Sequence, residues 1–372
     1  MSMTGGRSVI SGRGGGRAVV DGVDMIMLGS NDYLGLSTDP RVIAASGAVL
    51  GTYGTGACLY PVFATTPLHE ALADALAAFL GTEAAMLYGS GGAANAGVLT
   101  TLVEAGDVIL SDRLNHASII DGCRLSRADV LAYGNRDAAD LARVLNGTAR
   151  AGRRLIITDG IFSMEGGAAP LGELYALARA HEAVLVVDEA HATGVVGPRG
   201  AGTAPLCGLA NDAPGLVLTG SLSKALGGAS GGFVAGPRAI IDRLKAGSRG
   251  WIFSMGMTTA NAAAALAAVE IVSAETALFE RLQANVGAMR AALGARGLAV
   301  HPSDSAILAL AVGDEERARG LAGALRQRGV YAPAVAYPIV ARGEARLRLQ
   351  VSAAHDPADL ERAAGILAEL LG

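Results

Sequence analysis

Seven short apolar stretches, spaced between residues 84 and 235, constrain the fold more than any other feature of this chain. They fall at 84–88, 107–111, 129–132, 155–159, 183–188, 216–219 and 232–235. Several are unbroken apolar runs, such as Val184-Leu185-Val186-Val187. Unbroken runs are what strands buried on both faces need, whereas a half-solvated strand alternates. A turn and a helical stretch, for example 172–181, separate most of them. Strand–turn–helix repetition predicts an α/β fold with a mostly parallel seven-stranded sheet covered by helices.

After Arg249 the pattern changes. A long Ala-rich helix is expected over 259–275, continuing into 280–294. Shorter elements follow: a strand at 306–312, a helix at 315–329, a strand at 347–351 and a last helix at 357–371. That reads as a smaller α+β C-terminal domain. With 372 residues the chain is long enough for one large and one small domain. The division expected is an N-terminal segment 1–38, a large domain 39–250 and a small domain 251–372.

Ahead of the repeats, 18–28 alternates loosely, as a short strand or hairpin would. Asn31-Asp32-Tyr33-Leu34-Gly35-Leu36 makes a turn before a helix that opens near Asp39-Pro40, with proline at the first helical position. Thr66-Pro67-Leu68-His69-Glu70 opens a second helix with Thr66 as cap, and places Leu68, Leu72, Leu76 and Phe79 on one face.

Composition excludes several classes. A net charge of −4 offers no basic surface for nucleic acid. The six histidines are scattered, and none pairs with another at zinc-ligand spacing, so no metal is expected. Cys58, Cys123 and Cys207 are odd in number and far apart, which fits a reducing cytoplasm rather than a disulfide framework. Residues 1–17 are Gly/Arg/Ser-rich without the apolar centre of a signal peptide. No apolar run reaches the ~18 residues of a membrane span. A soluble cytoplasmic protein is expected.

The chemistry gathers at the ends of the expected strands, where open parallel sheets bind ligands. Lys224 lies among small and hydroxyl residues in Ser221-Leu222-Ser223-Lys224-Ala225-Leu226-Gly227, just after an apolar strand. Alone it reads as a surface lysine. If poorly hydrated, it favours the neutral amine that a Schiff-base nucleophile requires. Asp188 ends the run Val184–Val187; it is either a cap or a partner for a pyridinium nitrogen, which holds the ring protonated as an electron sink. His191 follows at the same mouth, within reach of a ring hydroxyl. His116, in Leu114-Asn115-His116-Ala117-Ser118, is either structural or stacked on a flat cofactor. Tyr88-Gly89-Ser90-Gly91-Gly92 turns into a helix, a place suited to phosphate, and Gly220-Ser221 can add donors. Arg346 and Arg348 alternate on one strand, so one is expected to be solvated while the other holds a substrate carboxylate. A lone lysine, a strand-end acid, a ring-facing histidine and a phosphate turn together describe pyridoxal 5′-phosphate.

The order of motifs resembles the α-oxoamine synthase family of fold-type I pyridoxal-phosphate enzymes. The matching stretches are Asn31-Asp32-Tyr33-Leu34-Gly35, Thr66-Pro67-Leu68-His69, Leu114-Asn115-His116-Ala117-Ser118, Gly160-Ile161-Phe162-Ser163-Met164-Glu165-Gly166, Asp188-Glu189-Ala190-His191, Ser223-Lys224-Ala225-Leu226-Gly227 and Ser352-Ala353-Ala354-His355. The resemblance implies that Lys224 carries the cofactor and moves the α-proton, Asp188 faces the pyridine nitrogen and His116 stacks on the ring. By the same resemblance His191 and Ser163 lie near the ring hydroxyl, and Gly91, Gly92 and Ser221 hold the phosphate. Asn31 and Arg348 would hold the amino-acid carboxylate. The implied reaction joins a small amino acid (glycine, alanine or serine-like) to an acyl-CoA or acyl carrier protein thioester, losing CO2 and giving an α-amino ketone.

Tyr337-Pro338-Ile339-Val340 and Arg348-Leu349-Gln350-Val351-Ser352 look closest to glycine C-acetyltransferases, and Ser90-Gly91 to 8-amino-7-oxononanoate synthases. Members are homodimers, so a homodimer is expected. The chain departs from the family pattern in its short or absent helix before Asn31, in Gly92 where an aromatic is usual, in Ser221 where Thr is common, and in two stretches: Ala57-Cys58-Leu59-Tyr60-Pro61-Val62-Phe63-Ala64, and Phe253-Ser254-Met255-Gly256-Met257-Thr258-Thr259, which lacks the usual Ser and Pro-Pro. An aminotransferase, an aldolase-type lyase and a non-catalytic partner subunit are the rival readings.

Overall fold

The computed structural model describes residues 7–56, 58–149 and 151–371. Residues 1–6 of the Gly/Arg tract, and Ala57 of the first departing stretch, lie outside the described residues.

The chain opens with three antiparallel strands, β1 (Ile10–Gly14), β2 (Arg17–Val20) and β3 (Val23–Met27). Asp21 and Gly22 form the turn between β2 and β3 with φ of 52° and 83°. Asp-Gly tolerates two left-handed residues in a row, and the resulting turn matches the twist of the strands it joins. The expected hairpin at 18–28 is therefore β2–β3.

The expected strands then form in order: β4 (Ala84–Tyr88), β5 (Val108–Asp112), β6 (Asp129–Tyr133), β7 (Arg154–Asp159), β8 (Val184–Asp188), β9 (Leu216–Ser221) and β10 (Gly232–Gly236). They make one seven-stranded sheet in the order β4-β10-β9-β8-β7-β5-β6. Only β10 runs against the rest, antiparallel to both β4 and β9. Leu185, Val186, Val187, Leu216, Val217 and Leu218 are fully buried, as strands covered by helices on both faces must be. The carboxyl ends of β5, β7, β8 and β9 share one edge of the sheet, because each of these neighbours pairs parallel with the next.

The C-terminal part carries a small sheet of β11 (Ile307–Gly313), β13 (Ala334–Val335) and β14 (Ala345–Gln350), in the order β11-β14-β13. The two-residue strand β12 (Val330–Tyr331) instead pairs parallel with β3, which ties the N-terminal strands to this half of the molecule. Arg17 reinforces the tie through a two-pronged bond to Asp359, at 2.8 and 2.9 Å, in the last helix Pro357–Leu371.

Two expectations need correction. The Ala-rich helix does not run on: it breaks into Thr259–Ala274 and Ala277–Gly294, bent by 81°. Arg199 donates to the carbonyl of Ser273 (2.8 Å) and Arg41 to the Glu275 carboxylate (2.5 Å), so the broken end finds its partners from other elements. Thr66 stands at the cap position of helix Pro67–Leu80, but its hydroxyl bonds His69 Nδ1 (2.7 Å) and not the backbone. Among the described residues no single helix is long and apolar enough to cross a membrane.

Candidate active site

At the carboxyl edge of the sheet lies a cavity of about 240 Å³. Lys224, in the turn after β9, is partly buried there. Burial pushes its amine down to about 8, against the opposing pull of Asp188 and then Asp159. In sequence this lysine has no carboxylate nearby; the fold brings it two.

Asp188 ends β8 and is buried. Its Oδ1 accepts from the backbone N–H of Ala190 (2.9 Å) and its Oδ2 from Asn95 Nδ2 (2.7 Å). One oxygen thus closes the turn at Ala190 while the carboxylate lines the cavity. Three residues on, His191 is buried, with Nδ1 2.8 Å from Tyr33 Oη. Burial, helped by the Lys224 charge, drives His191 well below its ordinary value, so it is a neutral ring.

His116 caps the helix Ala117–Leu125. The backbone N–H of Ser118 donates to His116 Nδ1 (3.2 Å), so that nitrogen is an acceptor and the ring proton sits on Nε2. The imidazole is exposed at the cavity mouth rather than partly buried, and it lines the cavity.

Opposite, the helix Gly91–Thr101 begins at the cavity, with Ser90 Oγ accepting from Ala93 N (3.1 Å). Its first-turn N–H groups have no partner within the helix. The cradle is tight: a Cβ on Gly91 would meet Ser221 Cβ at 3.1 Å, and one on Gly232 would meet the Ser90 carbonyl carbon at 2.3 Å. Ser221 Oγ lies 2.7 Å from Ser223 Oγ on the same wall. A phosphate cradle of backbone and hydroxyl donors, a buried strand-end carboxylate and an amine of lowered basicity fit the donor needs of pyridoxal 5′-phosphate.

Gly91, Gly92, His116, Ser163, Asp188, His191, Ser221 and Lys224 all line this one cavity. Asn31 and Arg348 stand behind it. Arg348 Nε donates to the Ser163 carbonyl, while Asn31 Oδ1 accepts from Gln350 and from Tyr33 Oη (3.3 Å). The expectation that Arg346 or Arg348 is solvated is wrong: both are buried. Arg346 is taken up by Glu165 (2.8 Å) and Glu344 (3.3 Å), which leaves Arg348 as the arginine on the cavity side.

Sequence reasoning assigned no role to two residues of this wall, Asn95 and Asp159. Asp159 carried the same signal as Asp188, an acid closing an apolar strand. Asn95 carried only its place in the first turns of the helix that follows the Gly-rich turn.

The two departing stretches meet each other. Leu59, Val62, Phe63, Trp251, Met255 and Met257 line a second cavity of about 300 Å³. Gly256 adjoins Gly89 of the phosphate turn, where a Cβ on Gly89 would lie 3.8 Å from the Gly256 carbonyl.

Residues 23–367 match the family described as Aminotransferase class I and II. An 8-amino-7-oxononanoate synthase from Geobacter metallireducens is 43% identical over 364 residues, 97% of this chain and 92% of the relative. One from Anaeromyxobacter dehalogenans is 46% identical, covering 96% and 87%. Among solved structures, serine palmitoyltransferase from S. paucimobilis with bound PLP–myriocin superimposes with a TM-score of 0.93 at 30% identity, over 98% of this chain and 92% of that one. An 8-amino-7-oxononanoate synthase from Francisella tularensis gives 0.78 at 26% identity, over 93% and 98%.

Proposed function

From the fact that this chain belongs to the aminotransferase class I and II family, with α-oxoamine synthases as its relatives, we propose the roles of its residues in a known type of reaction. The protein is a pyridoxal 5′-phosphate-dependent C-acyltransferase that condenses an amino acid with an acyl thioester. The observation that carries the assignment of residues is the convergence of Lys224, Asp188 and the glycine cradle on one cavity. When bound, the cofactor supplies the electron sink for the α-carbanion.

Lys224 Nζ would hold the cofactor and, as the free amine, would take the α-proton; burial brings that amine down to about 8, which suits both tasks. Asp188 would face the pyridine nitrogen and favour its protonated form. His116 presents its ring and Nε2–H over the cavity, and neutral His191 and Ser163 would lie near the ring hydroxyl. Gly91, Gly92 and Ser221 hold the phosphate. Arg348, with Asn31 beside it, takes the amino-acid carboxylate. The new C–C bond forms between the α-carbon and the acyl carbonyl carbon, the thiolate leaves, and CO2 is lost from the amino acid.

For the substrates we favour those of the named relatives. A product called 8-amino-7-oxononanoate, divided between its amine-bearing and ketone carbons, gives alanine less CO2 and a carboxylate-ended acyl chain. The acyl donor is a thioester of CoA or of an acyl carrier protein. We also propose a cytoplasmic homodimer. Phe63 is 82% exposed and Phe253 66%, and with Met255 they make an apolar patch on the departing stretches that a second copy would cover. Free thiol released from an acyl-CoA, dependent on one added amino acid, tests the reaction. Release without any amino acid contradicts it.

A further inference from the structure

We propose that Asn95 is a positioning residue that locks the strand-end carboxylate to both the phosphate helix and the ring-facing histidine. The inference rests on the cofactor reading of this cavity.

Asn95 sits on the helix Gly91–Thr101, whose first turn is the phosphate cradle, and it is 1% exposed. Its amide spans four elements. Oδ1 accepts from Thr219 Oγ1 (2.6 Å) on β9, two residues before Ser221. Nδ2 donates to Asp188 Oδ2 (2.7 Å) on β8 and to Ser118 Oγ (3.0 Å).

These partners fix the amide's orientation. A carboxylate oxygen only accepts and the buried Thr219 hydroxyl donates, so nitrogen must face Asp188 and oxygen must face Thr219. Ser118 Oγ, accepting from Asn95, turns its own proton to His116 Nδ1 at 2.8 Å. A chain of donors thus runs from Asn95 through Ser118 to His116 and fixes the ring tautomer already deduced from the Ser118 backbone N–H.

Two consequences follow. Among the described residues the buried Asp188 carboxylate has no cation as a hydrogen-bond partner; Asn95 and the Ala190 N–H are its donors, so Asn95 is the one side chain that holds it in place by a hydrogen bond. The phosphate cradle, the acid for the ring nitrogen and the group over the ring face also share one amide, so their spacing is set by a single side chain. An amide is the group that suits this place. An aspartate there would set a second carboxylate against Asp188, and a leucine would leave Thr219 and Asp188 each short of a partner.

The test is a double-mutant cycle on the holoenzyme, read as the cofactor dissociation constant on dilution and as the pH titration of the bound cofactor's visible absorbance. Asn95→Ala is expected to weaken cofactor binding by about tenfold or more and to move the absorbance titration. In an Asp188→Ala background the same change is expected to cost less than about threefold, because the carboxylate it positions is gone. Effects that multiply independently overturn the proposal, as does an Asn95→Ala protein that melts lower while its cofactor affinity and titration stay unchanged. Should Asn95→Ala fail to fold, Asn95→Asp serves, with the absorbance titration expected to shift and an unshifted titration counting against the proposal. A wild-type chain that binds no cofactor sinks the underlying reading instead.

Discussion

Asp159 and Asp188 stand side by side in register, at the ends of the parallel strands β7 and β8. Both are buried, and both act on Lys224. Burial, with the neighbouring Asp188 charge added, raises Asp159 well above the ordinary carboxylate range. The two adjacent acids divide their partners: Asp188 accepts from Asn95 and Ala190, and Asp159 accepts the backbone N–H of His116 (3.1 Å).

That division separates two nearly isosteric changes. Asp188→Asn should lower kcat/KM by about a hundredfold or more, because it removes the carboxylate proposed to face the ring nitrogen. Asp159→Asn retains an acceptor for the His116 N–H, so it should stay within about tenfold of wild type. Steady-state kinetics on the two purified variants checks the order.

The lowered Lys224 basicity has a sign in pH. Cofactor capture by the apoprotein should speed up as pH rises through about 8, where the amine becomes neutral, and then level off. The unfolded chain binds this proton up to the free lysine value of 10.5, so in that window the group makes the apoprotein more stable as pH rises. Stopped-flow absorbance and thermal melts across pH, with Lys224→Met as control, measure both trends; the control should lose each.

Glu189 works in the opposite direction. Its carboxyl is fully buried, accepts from the backbone N–H of Thr203 (2.8 Å), and is pushed up to about 8 by burial. The folded chain holds that proton above the free value of 4.5, so this contribution to stability is complete below 4.5 and is lost as pH climbs toward 8. Glu189→Gln should melt at a higher temperature than wild type above pH 8 while matching it near pH 4.5. Melting curves at the two pH values decide it.

Arg348→Lys should raise KM for the amino acid by roughly tenfold to a hundredfold with a smaller change in kcat, since an ammonium cannot grip a carboxylate with two parallel bonds. Arg346→Lys, which touches Glu165 and Glu344 rather than the cavity, should leave KM within a fewfold of wild type. Initial rates at varied amino acid concentration compare the pair.

Much of this was legible in the sequence, for physical reasons that differ by element. Strands buried on both faces leave unbroken apolar runs, so β4 to β10 could be located to within two residues at each end. Their edge then pointed to Asp188 and Lys224. The break at Glu275 was not legible, because no proline or glycine marks it and its partners, Arg41 and Arg199, come from distant parts of the chain. Arg346 and Arg348 could be placed on opposite faces, but which faced the cavity depended on Glu165, on another element. Asn95 and Asp159 gave weak signals for the same reason. Their importance lies in which side chains they meet, and those meetings exist only once β7, β8, β9 and two helices are assembled.

The chain has two lysines, Lys224 and Lys245, and the second lines the apolar cavity of the departing stretches. Borohydride reduction of the holoenzyme, followed by digestion and mass spectrometry, asks which of them carries the cofactor. The account predicts one pyridoxyl group per chain, on the peptide containing Lys224. A label on Lys245, or an unlabelled chain, would contradict it.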